Sequence, residues 1–221
     1  MERPTTRSAR RNWPAVLAAA TLLAALGAIF FVAPTERTMG EAQRIVYVHV
    51  AVAWLGLAGF LVMAVAGGIY LARRDLAWDH WAHAAAELGW LAASLTLVTG
   101  SLWAHAAWGT WWTWDPRLTS SFVLWALYSG CLLIRGSQDD PHRSARGGAI
   151  LAVLGAVDVP MIVLATHWFR GIHPATPQLD PLMRLTLWTS IVGFTAFFGV
   201  LLAMRRTQLH AQDLLNDFIS E

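Results

Sequence analysis

The sequence predicts an all-α polytopic membrane protein with six transmembrane helices and a Trp-rich loop on its outer face. Three observations lead there. Of the 221 residues 56% are apolar and only 14% charged, with a mean hydropathy of +0.46, a balance no water-soluble domain of this size sustains. Six stretches offer the roughly 20 apolar residues needed to cross about 30 Å of hydrocarbon at about 1.5 Å per residue. All 16 basic residues are arginine, and they crowd into alternate connections between those stretches.

The stretches lie near 14–33, 45–71, 85–104, 117–134, 148–168 and 183–204, and residues 1–221 read as a single integral membrane domain. The first follows a basic start, as a signal peptide does, but its apolar part is about 20 residues long against about 7–15 for a signal, so it reads as a span. The second opens on RIVYVHV. The fourth opens at Asp115-Pro116, where Asp is a good helix N-cap and Pro suits the first helical position. The fifth contains Asp158 ahead of Val159-Pro160, with backbone freed near a proline kink as its expected partner. The last is followed by RRTQLHAQDLLNDFISE, an amphipathic piece suited to a membrane surface or a partner.

Arg3, Arg7, Arg10, Arg11, Arg73, Arg74, Arg135, Arg143, Arg146, Arg205 and Arg206 fall on one side; Arg37, Arg44, Arg117, Arg170 and Arg184 fall on the other. By the positive-inside rule both termini are cytoplasmic, and the segments 34–44, 105–116 and 169–182 lie outside. The net charge of +2 therefore reports topology and says nothing of nucleic acid. The lone Cys131 excludes a disulfide within the chain, a CxxC pair and the CxxCH of covalent haem attachment, and reads as a small packing residue.

The outer side collects the unusual residues. Trp13, Trp103 and Trp168 fit an interfacial aromatic belt. Trp108, Trp111, Trp112 and Trp114, in WGTWWTWDPRLTS, are too close together for a belt and read as a flat platform for a large apolar molecule. His80, His83, His142 and His210 fall in cytoplasmic segments and read as solvated surface; His49, His105, His167 and His173 fall outside. His49 lies about one turn below the outer edge of its span, where a polar group is functional by default, the other reading being a helix-bonded structural histidine. Glu87 sits near the inner end of the third span, within reach of the interface. A flat aromatic shelf, neutral imidazoles and cations on one face describe what haem needs, with Arg44, Arg117 or Arg170 available to its propionates or engaged as interfacial or acid-paired arginines.

WGTWWTWDPRLTS closely resembles the WWD signature, WGxWWxWD followed by RLTS, of the haem-handling proteins of cytochrome c maturation. Span number and length are similar to the family of the heme exporter protein C, CcmC, of maturation system I, over most of the chain; the larger relatives with this signature have many more spans. RIVYVHV resembles the family's haem-ligand segment, its histidine falling on His49, and HWFRGIHPATP the segment of the second ligand, falling on His173. Val50-Ala51 stands where the family pattern has a proline, and His105 and His167 match no ligand of the pattern.

The resemblance implies haem b held non-covalently at the periplasmic face by the WWD loop (105–119), with His49 and His173 as axial ligands of the iron and Trp108, Trp111, Trp112, Trp114, Asp115 and Arg117 around it. It implies hand-off to the haem chaperone CcmE within an inner-membrane complex of the ABC transporter subunits CcmA and CcmB with the small protein CcmD. Asp115 reads either as an N-cap or as part of a docking surface. No GxxxxGK[ST], HExxH or nucleophile-base pattern occurs, so the chain is expected neither to bind ATP nor to be an enzyme. An electron-transfer b-type membrane cytochrome subunit and a purely structural assembly subunit are the competing readings.

Overall fold

The computed structural model describes residues 12–169, 171, 173 and 179–220. Among these, all regular structure longer than an isolated bridge is helical, and six helical segments are long and apolar enough to cross a membrane. Helix α1 (Trp13–Gly27) runs on into a π-turn (Ala28–Val32). It has a lipid-ready surface, with Leu23 and Phe31 exposed. In the following loop the Glu36 carboxylate accepts from the Met39 and Thr38 amides at 2.5 and 2.6 Å. The Met39 amide above all, then that of Thr38, holds this carboxyl below its usual range.

Helices α2 (Arg44–Arg73) and α3 (Leu76–Trp108) form the tightest pair. Their contact is built from residues with almost no side chain. A Cβ on Gly56 would lie 3.5 Å from the Ala93 backbone, and one on Gly59 would lie 3.3 Å from Gly89 Cα. Small residues let helix backbones approach where lipid removes the hydrophobic drive. Tyr128 of α4 (Pro116–Gly136) enters the notch so formed, and its hydroxyl donates to the Gly56 carbonyl at 2.7 Å.

The helix that carries the third apolar stretch starts at Leu76, ahead of residue 85. Arg74 turns left-handed at φ 56°, and the Asp75 carboxylate accepts from Ala77 N at 2.9 Å to cap α3. The added turns carry Asp79, His80 and His83, which an apolar window rejects, and with Glu87 just beyond them the fold pairs them off. Asp79 holds Arg135 of α4 through two bonds of 2.7 and 3.0 Å, both residues buried. Glu87 holds Arg205 at 2.5 and 2.7 Å, and His80 Nε2 lies 2.7 Å from Asp213. The expectation that His80 is solvated surface is corrected: it is buried against α7, with His210 beside it. His142 meets the Tyr70 hydroxyl. Cys131 is free and buried, as a packing residue should be.

The fifth span is broken. Helix α5 (Pro141–Gly155) starts on an Asp140 cap and stops; α6 (Asp158–Trp168) restarts after Ala156 and Val157. Pro160 offers no N–H to the Ala156 carbonyl and its ring crowds that group, which is reason enough. Asp158 did not find the backbone partner expected of it, since its buried Oδ2 has no hydrogen bond among the described residues. Helix α7 (Pro181–Ser220) continues unbroken from the last span through the amphipathic tail, with Leu214, Leu215, Phe218 and Ile219 exposed. It packs on α1, where a Cβ on Gly193 would lie 2.7 Å from the Thr21 carbonyl oxygen.

Candidate haem site

Two small-residue stripes meet near the loop end of the α2–α3 pair. From α2 come His49, Ala53, Gly56 and Leu57, and from α3 come Ala93, Thr96, Leu97, Gly100, Ser101 and Ala104. Both recur at the three-and-four spacing of one helix face. Where small residues face one another without meeting, a cavity remains. The tryptophan segment closes it from above, with Trp103, Trp108, Trp111 and Trp112 in its wall, joined by Arg117 and Leu118 of α4, Ile162 of α6, and His173.

Of the predicted site residues, the cavity thus brings together His49, His173, Trp108, Trp111, Trp112 and Arg117. Trp114 and Asp115 are not in its wall. Trp114, 72% exposed, lines a separate open groove with Val98, Leu102 and Phe122; Trp111 and Trp112 belong to both and so stand between groove and cavity. Asp115 faces inward along the chain. Its Oδ1 accepts from Leu118 N at 3.0 Å, its Oδ2 accepts from the Thr113 hydroxyl at 3.0 Å, and Gly171 packs against it.

The flat platform expected of the tryptophans is not what they form. Helix α3 persists to Trp108 and ends on Gly109 at φ 70°, so residues 105–108 are helical, residues from 116 belong to α4, and the loop itself is 109–115. Trp108 packs edge-on against Trp103 at 4.8 Å and 83°, and Trp112 edge-on against Trp114 at 5.6 Å and 79°. Trp111 lies flat on His105, centroids 4.0 Å apart and planes within 5°. Indole quadrupoles favour the edge-to-face arrangement over a continuous sheet of rings. The sequence shows the rings in a row, but the helix end at Gly109 sends them in different directions.

The imidazole of His49 is held from one side. Its Nδ1 lies 3.1 Å from Thr99 Oγ1, and Gly100 leaves room for the ring, since a Cβ there would lie 2.9 Å from His49 Cε1. Neither Thr99 nor Gly100 was singled out in the sequence; the only signal was the run of small residues along one face of α3. Arg44 pairs with Glu41 and donates to the Ile29 carbonyl, so it fastens α1 to α2 away from the cavity wall. Arg117 forms no ion pair among the described residues and lies in the wall. Arg170 lies outside the described residues. His105 is engaged with Trp111, and exposed His167 has no part in the wall.

The residues fit a haem, although the enclosed space is only about 90 Å³. An apolar cavity of about 150 Å³ accommodates one benzene, so a porphyrin requires the aromatic wall to move. The indole Nε1 groups of Trp103 and Trp112, both wall residues, are buried without an acceptor among the described residues. A donor left so costs about 1–3 kcal/mol, and a carboxylate-bearing ligand would satisfy it. Two imidazoles, one guanidinium and a ring of indoles form a donor set suited to iron, propionate and macrocycle respectively.

Residues 3–217 match the family model described as "CcmC: Heme exporter protein C". The chain is 36% identical over 209 residues to the heme exporter protein C of Bradyrhizobium diazoefficiens, covering 90% of this chain and 79% of that one. It is 35% identical over 184 residues to that of Escherichia coli K12, covering 81% and 75%. It is 34% identical over 211 residues to that of Rhodobacter capsulatus, covering 91% and 87%. With a family model spanning nearly its whole length and relatives of this similarity across most of both chains, this protein belongs to the heme exporter protein C family.

Proposed function

We propose that this chain binds haem b non-covalently at the loop end of its helix bundle, with His49 and His173 as axial ligands of the iron, and hands it to the haem chaperone CcmE for cytochrome c maturation. The observation that carries this reading is that the two histidines line one cavity together with Trp108, Trp111, Trp112 and Arg117. The relatives' shared name, heme exporter protein C, agrees with it.

In this reading the two imidazoles saturate the iron, which suits holding over oxygen chemistry. The indoles supply apolar area. Covering one porphyrin face, a few hundred Å² at about 25 cal/mol per Å², contributes several kcal/mol before entropic costs, enough for retention and still compatible with release. Arg117 and the Trp103 and Trp112 indole N–H groups are the donors for propionates. Since Trp111 and Trp112 separate the cavity from the neighbouring open groove, they are the rings whose displacement makes room.

The arginine distribution supports an orientation in the bacterial inner membrane with the Arg73, Arg74, Arg135, Arg205 and Arg206 end cytoplasmic and the haem site periplasmic. The family resemblance supplies the partners, namely CcmA and CcmB as the ATP-driven pair and CcmD as a small companion. Oxidised and reduced absorption spectra of the detergent-purified protein, co-produced with CcmE, test the assignment. A haem spectrum is expected in the parent protein and its loss or alteration in His49→Ala and His173→Ala. Unchanged spectra in both variants, or a folded haem-free protein whose chaperone is still loaded, would refute it.

A further inference from the structure

We infer that Thr99 is a positioning residue that fixes the tautomer of His49, leaving Nε2 as the nitrogen that meets the iron. This rests on the haem-ligand reading above and adds to it the part of the machinery behind the ligand. Thr99 Oγ1 sits 3.1 Å from His49 Nδ1, and one of the two must supply the hydrogen. The threonine hydroxyl has a single hydrogen, and Oγ1 also lies 2.6 Å from the Leu95 carbonyl oxygen and 3.4 Å from that of Thr96. A carbonyl only accepts, and two oxygens at 2.6 Å repel unless a hydrogen lies between them. The hydroxyl proton is therefore committed to its own helix backbone, and a lone pair of Oγ1 faces the ring.

It follows that Nδ1 carries the hydrogen. A neutral imidazole protonated on Nδ1 has its free lone pair on Nε2. Gly100, one residue on, completes the seat by leaving the space that the ring edge fills. Thr99 itself is not in the cavity wall whereas His49 is, so its influence on a bound haem passes through the imidazole. Histidines that bind metals commonly donate their second N–H to a fixed acceptor, which orients the ring and raises its basicity, and loss of that acceptor lowers metal affinity by roughly 10-fold to 100-fold.

The test uses the full chain in detergent, stripped of haem and titrated with haemin, with affinity read from the absorption bands and the midpoint potential of the bound haem from a redox titration. Thr99→Val keeps the shape and removes the acceptor. It is expected to bind haemin roughly 10-fold to 100-fold more weakly and to raise the midpoint potential, because a less basic imidazole favours the ferric state less. Thr99→Ser is expected to restore both. Parent-like affinity and potential in Thr99→Val overturn the inference, and so does a Thr99→Ser protein as impaired as Thr99→Val, which would mark a packing role. Should Thr99→Val not fold, Thr99→Ala against Thr99→Ser makes the same comparison. His49→Ala run alongside separates the two claims: if it keeps an unaltered haem spectrum, the ligand reading itself fails, whereas loss of haem there with a parent-like Thr99→Val removes only the role of Thr99.

Discussion

Asp115 shows how one carboxylate both places an element and shapes a loop. It caps α4 through Leu118 N and ties back to Thr113, so both of its oxygens are committed inside the chain. Asp115→Ala is accordingly expected to cost about 1 kcal/mol, read as a lower thermal midpoint in detergent. Asp115→Asn retains a cap acceptor and is expected to retain most of that stability and, under the proposed function, the loading of CcmE. Normal haem content with failed loading in the Asn variant would show instead that the negative charge is read by the partner. This cap was legible in the sequence because Asp-Pro is a local rule. Thr99 was not, because its meaning depends on His49, fifty positions away on another helix. His49 stood out through its depth and through the resemblance of RIVYVHV to a ligand segment, and Arg44 and Arg117 looked equivalent until packing gave one of them to Glu41.

Elements were readable to the extent that apolar length decides them, and unreadable where polar residues are paid for by pairing. The α3 start at Leu76 was hidden because Asp79 and His80 look like surface until α4 and α7 supply Arg135 and Asp213. The interruption at Ala156 and Val157 was foreshadowed by Pro160. The packing of α2, α3 and α4 makes a sharper prediction. A Cβ on Gly89 would lie 2.1 Å from the Tyr128 hydroxyl, so Gly89→Ala must expel the tyrosine from its notch. A cost of about 1–3 kcal/mol is expected for such overpacking, against about 0.5–1.5 kcal/mol for Tyr128→Phe, which loses only the hydrogen bond to Gly56. Thermal unfolding of the two variants in one detergent gives the order, and a Gly89→Ala protein as stable as the parent contradicts the geometry.

At the scale of the molecule, the two ends of the bundle are held by different physics. The loop end is closed by rings and small residues, the opposite end by ion pairs sunk between helices. Removing one partner of a buried pair strands the other charge, at about 3–5 kcal/mol, while replacing both by apolar residues of similar size is often neutral. Asp79→Leu is therefore expected to destabilise the protein strongly, and Asp79→Leu combined with Arg135→Met to recover most of the loss in the same melting assay. Helix α7 joins the two ends. Its forty residues, Pro181–Ser220, make a rod of about 60 Å at about 1.5 Å per residue, touching α1 at Gly193 with almost no clearance. The same rod is tied to α3 farther along, by Arg205 to Glu87 and by Asp213 to His80, so it is braced on two helices at once.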